Sequence, residues 1–515
     1  MNAIVIGAGV GGIAAAIRTA RLGYRVDVYE AAAGPGGKLS AFERDGYRFD
    51  RGPSLFTMPH YVDELFRLCG EEPADHFRYR REEVVCRYFW DDGTRLCAYA
   101  DPARFSREAA DVLGVAPALV SRALAAAQRK YAVGGRTFLE RPLHRLSTWT
   151  SPEVARALAR VADMGLADTM HGVNERLLAH PKLVQLFDRF ATYNGSDPYR
   201  APGILTVIPT FEHVVGTYLP EGGMVDIAAS LVALAERQGV RFHYGTPVRR
   251  VLRAGRRVSG VALADGGRRA CDVLVCNADV HGFYRSLMPA AAPPERVLRQ
   301  ERSTSALIFY WGLRGDHDAL GLHNIFFGRD YAAEFAALRA GRIADDFTVY
   351  VNVTSKHIRG EAPPGRENWF VMVNAPHDRG QDWDAELARI RRLTLAKLGD
   401  ALDVDLAAAL ETEATWTPPG IAADTGSHLG ALYGTSSNNP LAAFLRHRNQ
   451  SREFANLFFV GGSVHPGGGV PLALLSARIA GQLIAEARAG RRLPHAPVDG
   501  APAPRPTDGN ALATP

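Results

Sequence analysis

The chain has 515 residues, of which 47% are hydrophobic and 22% are charged, and its formal net charge is only +5. A chain of this length exceeds one compact core, so we expect two or three substructures within one enzyme body. The basic residues are scattered, which argues against nucleic-acid binding, and the five cysteines form no C-x-x-C pair, which argues against a metal site.

The first predicted elements are a strand, a glycine-rich turn and a helix. The apolar residues 3–6 lead into Gly7-Ala8-Gly9-Val10-Gly11-Gly12, and an alanine-rich helical segment follows. In such a turn Gly7 permits the sharp bend, Gly9 lets backbone N–H groups approach a pyrophosphate, and Gly12 lets the helix pack closely on the sheet. The positive end of the helix then faces the phosphates. The turn predicts a dinucleotide site.

An acidic residue ends the second predicted strand. Residues 24–29 alternate in polarity, and Glu30 follows them, 18 positions after Gly12. A carboxylate at this place can accept hydrogen bonds from ribose hydroxyls and would repel a 2′-phosphate. Because strand, turn, helix and carboxylate fall within about 30 residues, we favour dinucleotide binding over a glycine turn that serves packing alone.

The middle of the chain predicts three kinds of structure. Residues 84–100 are typical of a hairpin with its turn at Asp92-Gly93, and residues 102–187 have the apolar spacing of helices. Further helices are expected over 225–238 and 383–398, and strands over 248–252, 257–263, 271–277, 305–312, 347–353 and 369–374. We therefore predict an α/β protein with a Rossmann-like nucleotide domain, a helical insert and a mixed-sheet substrate domain.

The predicted boundaries divide the chain into six parts. The nucleotide domain comprises 1–100, 216–298 and 441–490, the helical insert 101–215, and the substrate domain 299–440. Residues 491–515 are rich in proline and alanine, so we expect them to be disordered.

The C-terminal region repeats the pattern of the N-terminus. Residues 456–460 predict a buried strand, residues 461–469 form a second glycine-rich loop, and residues 470–489 predict an amphipathic helix. A nicotinamide enzyme would complete its nucleotide fold within about 150 residues, whereas a flavin dinucleotide also needs contacts for its ring system. We therefore expect FAD, with the positive end of the second helix at the flavin N1 and C2 carbonyl.

The sequence gives two indications of where the protein acts. It contains no run of 18 apolar residues and no secretory signal before the first strand, so we expect a cytoplasmic protein without a spanning helix. Attachment to one face of a membrane stays open. The helical segment 151–186 either contacts the bilayer interface or is an ordinary surface segment.

Several segments together resemble the bacterial phytoene desaturase family of carotenoid desaturases. They are Gly7–Gly12, Glu30, Gly36-Gly37-Lys38, residues 50–54, Asn277-Ala278-Asp279 and residues 459–471, and the likeness extends over residues 1–488. The most specific of them is His465-Pro466-Gly467-Gly468-Gly469-Val470-Pro471. Residues 323–328 and 430–438 look closer to members that act late in the pathway, such as hydroxycarotenoid 3,4-desaturases and methoxyneurosporene dehydrogenases.

The resemblance implies an amine-oxidase-like flavoprotein fold and a set of FAD contacts. These contacts are Gly7, Gly9, Gly11 and Gly12 at the pyrophosphate, Glu30 at the adenosine ribose, Gly37 and Lys38 near the phosphates or the flavin, Ser54 and Leu55 beside the flavin, Val248 at the adenine, Asn277 on a strand-end loop, and Gly462, Ser463, Gly469, Val470 and Leu472 at the ribitol and ring. Related amine oxidases usually carry an acidic residue where this chain has Ser463, so we expect a hydroxyl or backbone contact there. Lys38 could instead be a solvated surface cation.

The resemblance also implies the reaction. A hydride from a saturated bond beside a polyene would pass to the flavin, and loss of a proton would complete a new double bond. No side chain is required as a catalyst; His465 is a candidate base, with a structural role in its turn as the alternative. Aromatic side chains could line a tunnel for the long isoprenoid or belong to the core: Phe56, Tyr61, Phe66, Tyr193, Phe211, Phe326 and Phe327.

Three alternatives stay open at this point. The substrate could be phytoene itself rather than a late hydroxy- or methoxycarotenoid. The same fold could serve an amine or porphyrinogen oxidase, or a non-enzymatic prenyl binder resembling the Rab GDP-dissociation inhibitors. The expected partners are a long apolar carotenoid and a membrane surface contacted peripherally, with no nucleic acid and no metal.

Overall fold

The computed structural model describes residues 1–150, 154, 165–440 and 445–490. Most of the first half of segment 151–186, for which membrane contact is one alternative, lies outside the described residues. The tail 491–515, expected to be disordered, also lies outside them.

Twenty strands are present in the described part of the chain. They are β1 (Asn2–Ile6), β2 (Arg25–Tyr29), β3 (Ala41–Arg44), β4 (Tyr47–Asp50), β5 (Phe56–Thr57), β6 (Tyr79–Arg81), β7 (Val84–Phe89), β8 (Arg95–Tyr99), β9 (Thr217–Pro220), β10 (Arg241–His243), β11 (Val248–Ala254), β12 (Arg257–Leu263), β13 (Arg268–Ala270), β14 (Val273–Cys276), β15 (Ser305–Arg314), β16 (His323–Phe326), β17 (Val349–Asn352), β18 (Arg366–Ala375), β19 (Leu410–Trp416) and β20 (Leu457–Phe459).

The helices within the same described ranges vary from single turns to 20 residues. They are α1 (Val10–Arg21), α2 (His60–Leu68), α3 (Pro102–Leu113), α4 (Ala118–Lys130), α5 (Arg136–Glu140), α6 (Leu146–Trp149), α7 (Met170–Leu178), α8 (Pro181–Asp188), α9 (Val225–Arg237), α10 (Val280–Gly282), α11 (Glu295–Leu298), α12 (Tyr331–Arg339), α13 (Trp383–Leu402), α14 (Leu406–Ala409), α15 (Pro418–Thr425) and α16 (Val470–Ala489). Short 3₁₀ and π turns connect several of them, including π turns at Tyr131–Gly135 and Thr210–Val215.

A five-stranded parallel sheet joins the two ends of the chain. Its strand order is β10-β2-β1-β14-β20, and every neighbouring pair is parallel. Ala3 and Val5 face a core formed with α1, α9 and α16, whereas Ile4 and Ile6 face a core formed with the antiparallel sheet β11-β12-β13. This alternation buries both faces of β1, which explains its continuous apolar run.

A seven-stranded mixed sheet forms the second large layer. Its order is β19-β15-β18-β17-β16-β7-β8, and only the β16–β7 pair is parallel. The hairpin β7–β8, which the sequence places with the nucleotide domain in 1–100, extends this mixed sheet instead. Its strand β7 gains that place by pairing with β16, more than 230 positions further along the chain. The predicted α/β class with a parallel and a mixed sheet is confirmed.

The remaining elements complete the layers. The helices α3, α4, α7 and α8 share a hydrophobic core with β7 and β8 and with Tyr331 and Phe335 of α12. On the mixed sheet, one face packs against α13 through residues such as Trp311 and Trp369. The other face borders the site described below.

The helix α16 meets the length and hydropathy criterion for a membrane span by composition alone. In the structure 61% of its apolar window is buried within the protein. Its residues Leu475, Ile479 and Ile484 lie in the core beside α1. This burial is typical of the core helix of a protein.

Candidate functional site

Both glycine loops meet around Asn277, at the carboxyl edge of the parallel sheet. Gly7 has a φ of +94°, which glycine adopts readily. A Cβ atom added to Gly9 would lie 2.8 Å from Asn277 Nδ2, and one added to Gly461 would lie 2.6 Å from Asn277 Oδ1. The N–H of Asn277 donates to the carbonyl of Ile6 at 2.8 Å. Gly9 and Gly461 therefore make room for the Asn277 side chain between the two loops, and the approach of a pyrophosphate to Gly9 stays a prediction.

Glu30 is held against the first glycine turn. The N–H of Ala8 donates to its Oε2 atom at 2.6 Å, and the N–H of Ala32 donates to its Oε1 atom at 2.8 Å. These two bonds fix the carboxylate beside the turn, where it lines the cavity described below. A carboxylate so placed can still accept further hydrogen bonds from a ligand, because each oxygen has two lone pairs.

Replacing Glu30 by alanine should weaken FAD binding by one to two orders of magnitude. A charge-assisted hydrogen bond contributes about 1.5–3 kcal/mol, and the variant would lose the predicted bonds to the ribose together with the observed bonds from the N–H groups of Ala8 and Ala32. Titration of apoprotein with FAD, followed by flavin fluorescence, measures the change. Glu43, exposed on β3, supplies the control Glu43→Ala. Equal FAD affinity in wild type and Glu30→Ala would reject Glu30 as the ribose partner.

Lys38 links the first loop to a distant one. Its Nζ atom donates to the carbonyl of Leu432 at 2.8 Å and lies 3.4 Å from the carbonyl of Ala431. Burial lowers the pKa of Lys38 to about 8, although nearby Asp279 raises it in part. Because the ammonium group is bonded and the residue lines the cavity, it is not a solvated surface cation.

The second glycine loop places a helix N-terminus at the same cavity. Gly469, with a φ of +108°, precedes α16, and no atom lies within 4 Å of the position its Cβ would take. The hydroxyl of Ser476 accepts a bond from the N–H of Gly461 at 2.8 Å, which anchors the loop to α16. The first N–H groups of a helix have no partner within it, so this end attracts negative charge.

Two residues of this loop, Ser463 and His465, contact protein groups outside the loop. The hydroxyl of Ser463 accepts a bond from the N–H of Val280 at 3.1 Å. His465 is 2% exposed, its Nε2 atom lies 2.8 Å from the carbonyl of Arg141, and burial lowers its pKa to about 3. Among the described residues that line the cavity, Ser463 is present and His465 is not. This contact favours the structural alternative for His465 over the role of a base.

Nearly all of the predicted cofactor residues line one cavity of about 1460 Å³. Of that set all but Gly12 line it: Gly7, Gly9, Gly11, Glu30, Gly37, Lys38, Ser54, Leu55, Val248, Asn277, Gly462, Ser463, Gly469, Val470 and Leu472. A Cβ at Gly12 would lie 2.0 Å from the carbonyl oxygen of Gly7, so this glycine serves the close packing of α1. The volume exceeds the roughly 300–1,000 Å³ of ordinary ligand pockets, which leaves room for a cofactor and a substrate together.

The mixed sheet forms a wall of this cavity. On β18 the alternate residues Phe370, Met372 and Asn374 line it, and on β16 the alternate residues His323 and Ile325 do so. This spacing of two is the side-chain period of a strand. Of the aromatic tunnel candidates, Tyr193 and Phe211 line the cavity, whereas Phe56, Tyr61, Phe66, Phe326 and Phe327 belong to the cores.

Two polar clusters in the wall contain residues that were not predicted as site residues: Tyr350 and His323 beside Ser54, and the pair Arg189 and Glu212. The hydroxyl of Ser54 lies 2.7 Å from that of Tyr350, which in turn lies 2.8 Å from His323 Nδ1. Arg189 forms a buried ion pair with Glu212 at 3.2 Å. The alternation of β16 and β17 could have indicated which residues share a face, but the pairing of strands could not be read from local pattern.

Comparison with known proteins agrees with this geometry. Residues 10–485 match the family model of flavin-containing amine oxidoreductases. The chain is 44% identical to a 1-hydroxycarotenoid 3,4-desaturase of a Flavobacterium species, over 94% of this chain and 99% of the relative. It is 32% identical to a zeta-carotene-forming phytoene desaturase of Myxococcus xanthus, over 92% of each chain.

A solved structure shares the fold at low sequence identity. Cyclohexylamine oxidase from Brevibacterium oxydans superposes with a TM-score of 0.59 and 18% identity, covering 95% of this chain and 99% of the oxidase. The amine-oxidase-like fold implied by the sequence resemblance is thereby confirmed. The chain belongs to the flavin-containing amine oxidoreductase family and, within it, to the phytoene desaturase family of carotenoid desaturases.

Proposed function

We propose that this protein is an FAD-dependent desaturase of linear carotenoids, acting late in the pathway on a hydroxy- or methoxycarotenoid. The reaction removes two hydrogens from a CH–CH bond beside the polyene. The observation that carries the proposal is a large cavity among the described residues, which extends from both glycine loops to the wall of the mixed sheet. The relative that acts on a 1-hydroxycarotenoid supports the choice of substrate.

The residues present fit FAD at one side of the cavity. Gly9 and Gly11 let the first loop pack against the Asn277 side chain at the edge of the cavity, where backbone N–H groups suit a pyrophosphate, and Glu30 lies beside them for the ribose. The open space in front of Gly469 leaves the N-terminus of α16 accessible to the electron-rich edge of a flavin. FAD, when bound, supplies the acceptor for the hydride.

The protein itself contributes position and exclusion of water. Ile308, Ile325 and Met372 present apolar side chains from three strands of the wall, which suits a hydrocarbon chain. Loss of a proton from a cation that is delocalised over a polyene requires little help from a base. The contact of His465 agrees with a reaction that needs no strong base, since its Nε2 atom already has the carbonyl of Arg141 as partner.

We place the protein at a membrane surface, because a carotenoid partitions into lipid. Two exposed apolar side chains support this location: Trp149 is 40% exposed and Leu445 is 48% exposed. Their segments are joined, since His144 Nε2 lies 3.1 Å from the carbonyl of Arg446. Exposed apolar side chains can contact the interface of a bilayer.

An assay with defined carotenoids tests the proposal. Purified holoprotein is incubated with phytoene, neurosporene or 1-hydroxyneurosporene in phospholipid vesicles, and the absorption spectrum is followed. We expect the absorption maximum to move to longer wavelength, most rapidly with the hydroxylated carotenoid. Absence of a shift with every carotenoid contradicts the proposal. Oxidation of an amine with consumption of oxygen would then indicate an amine oxidase, and a purified protein without flavin absorption would indicate a prenyl binder.

A further inference from the structure

His323 carries a buried polar atom without a partner at the wall of the cavity. The residue is 3% exposed, lies on β16 and lines the cavity. Its Nε2 atom makes no hydrogen bond to any described residue. A buried polar atom is rarely left in this state, so an unpaired group in a binding cavity points to a ligand.

The neighbours of His323 determine which ring nitrogen carries the proton. Asn352 Nδ2 donates to the carbonyl of Leu322 at 2.8 Å, which fixes the orientation of the amide, and the same atom lies 3.2 Å from His323 Nδ1. An amide nitrogen only donates, so Nδ1 accepts and the proton of the neutral ring lies on Nε2. Burial lowers the pKa of His323 to about 3, so the ring is neutral at physiological pH. The unpaired atom is therefore a hydrogen-bond donor.

His323 differs from the other cavity residues that have an unpaired side-chain atom. These are Arg189, Asn194 and Tyr331. Of these four residues, His323 is the one connected to Ser54. Its Nδ1 atom lies 2.8 Å from the hydroxyl of Tyr350, which lies 2.7 Å from the hydroxyl of Ser54. Because Ser54 lies in the loop proposed to border the flavin, this hydrogen-bonded chain connects the proposed flavin side of the cavity to the ring of His323. The donor is thus held in a fixed direction close to the proposed chemistry.

We propose that His323 binds the hydroxyl oxygen of the substrate end group by donating from Nε2, and that Tyr350 and Asn352 hold the ring for this contact. The ligand class is an isoprenoid chain with an alcohol at its end. The inference rests on the proposed function, and it identifies the end-group hydroxyl as the feature by which the same site selects its substrate. A hydrocarbon end group leaves the donor unpaired in an apolar cavity, and such a site discriminates against substrates that lack the oxygen.

The test compares 1-hydroxyneurosporene with neurosporene, which lacks the hydroxyl. We expect wild-type holoprotein to prefer the hydroxylated carotenoid about tenfold to a hundredfold in kcat/KM and in Kd. In His323→Leu, kcat/KM for 1-hydroxyneurosporene should fall and its Kd should rise by that factor, whereas both constants for neurosporene should change less than about threefold. His323→Gln retains an N–H donor and should recover part of the preference.

Controls separate recognition from folding. His60→Leu changes an exposed histidine outside the cavity lining and should leave the preference intact. FAD content and thermal midpoint are measured for every variant. The inference is overturned if wild type shows no preference, if His323→Leu retains the preference, or if kcat/KM and affinity in His323→Leu fall equally for both carotenoids. A wild type that desaturates neither carotenoid overturns the proposed function, and the inference with it.

Discussion

Replacing Gly9 by valine should give a protein that purifies without flavin. A Cβ at this position would lie 2.8 Å from Asn277 Nδ2, closer than a Cβ atom can approach, so a valine side chain would force apart Asn277 and the first glycine loop. This loop is where we propose that the pyrophosphate meets the backbone. We expect FAD content, measured by flavin absorbance per protein, to fall below about a tenth of the wild-type value.

The matched control is Gly282→Val. No atom lies within 4 Å of the position of its Cβ, and Gly282 is not among the described residues that line the cavity. This variant should retain the wild-type FAD content. Circular dichroism and the thermal midpoint of apoprotein show whether Gly9→Val still folds. A folded Gly9→Val with normal FAD content would show that the pyrophosphate lies elsewhere.

Replacing Arg189 by methionine should destabilise the wall of the cavity by about 3–5 kcal/mol, the usual cost of removing one partner of a buried ion pair. The side chains of Arg189 and Glu212 are 7% and 2% exposed. Arg189 also donates to the hydroxyls of Tyr193 at 2.9 Å and Tyr88 at 2.7 Å. Its removal leaves the Glu212 carboxylate without its counter-charge, so the urea midpoint and the thermal midpoint should both fall.

A second variant identifies the charge as the cause. In Arg189→Met/Glu212→Gln no charge is left unpaired, and the amide oxygen can still accept from Tyr193, which donates to Glu212 at 3.0 Å in the wild type. We expect the double variant to recover most of the lost stability. Arg268→Met, at an exposed position on β13, should have little effect. A double variant as unstable as Arg189→Met would instead assign the loss to packing.

Local patterns predicted much of the fold because they act over a few residues. The glycine turn, the helix α9 and the helix α16 were each expected within one or two residues of where they occur. Their signals are apolar periodicity and the special backbone freedom of glycine, which do not depend on distant contacts. The short strands β10, β16 and β19 were not predicted. Each has only three to seven residues and depends on pairing with a neighbour.

The assignment of β7 and β8 to a sheet shows the same limit of local sequence patterns. A hairpin was correctly expected there, since turn residues and alternation define a hairpin locally. Which sheet receives the hairpin depends on its contact with β16, far along the chain. Likewise the bond from Lys38 Nζ to the carbonyl of Leu432 joins positions separated by 394 residues. Sequence pattern carries no record of such contacts.

The sequence by itself determined that a glycine-rich loop joins a strand to a helix at residues 7–12 and again at residues 461–469, because the freedom of glycine and helix periodicity are local features. Only the tertiary structure decided what the cavity presents beyond these loops. Asn277 lies between the two glycine loops, His465 contacts the carbonyl of Arg141, and the Nε2 atom of His323 has no partner among the described residues. Each of these facts depends on side chains from different strands meeting in space. A hydrogen bond requires both partners within about 3 Å, and the fold alone sets that distance.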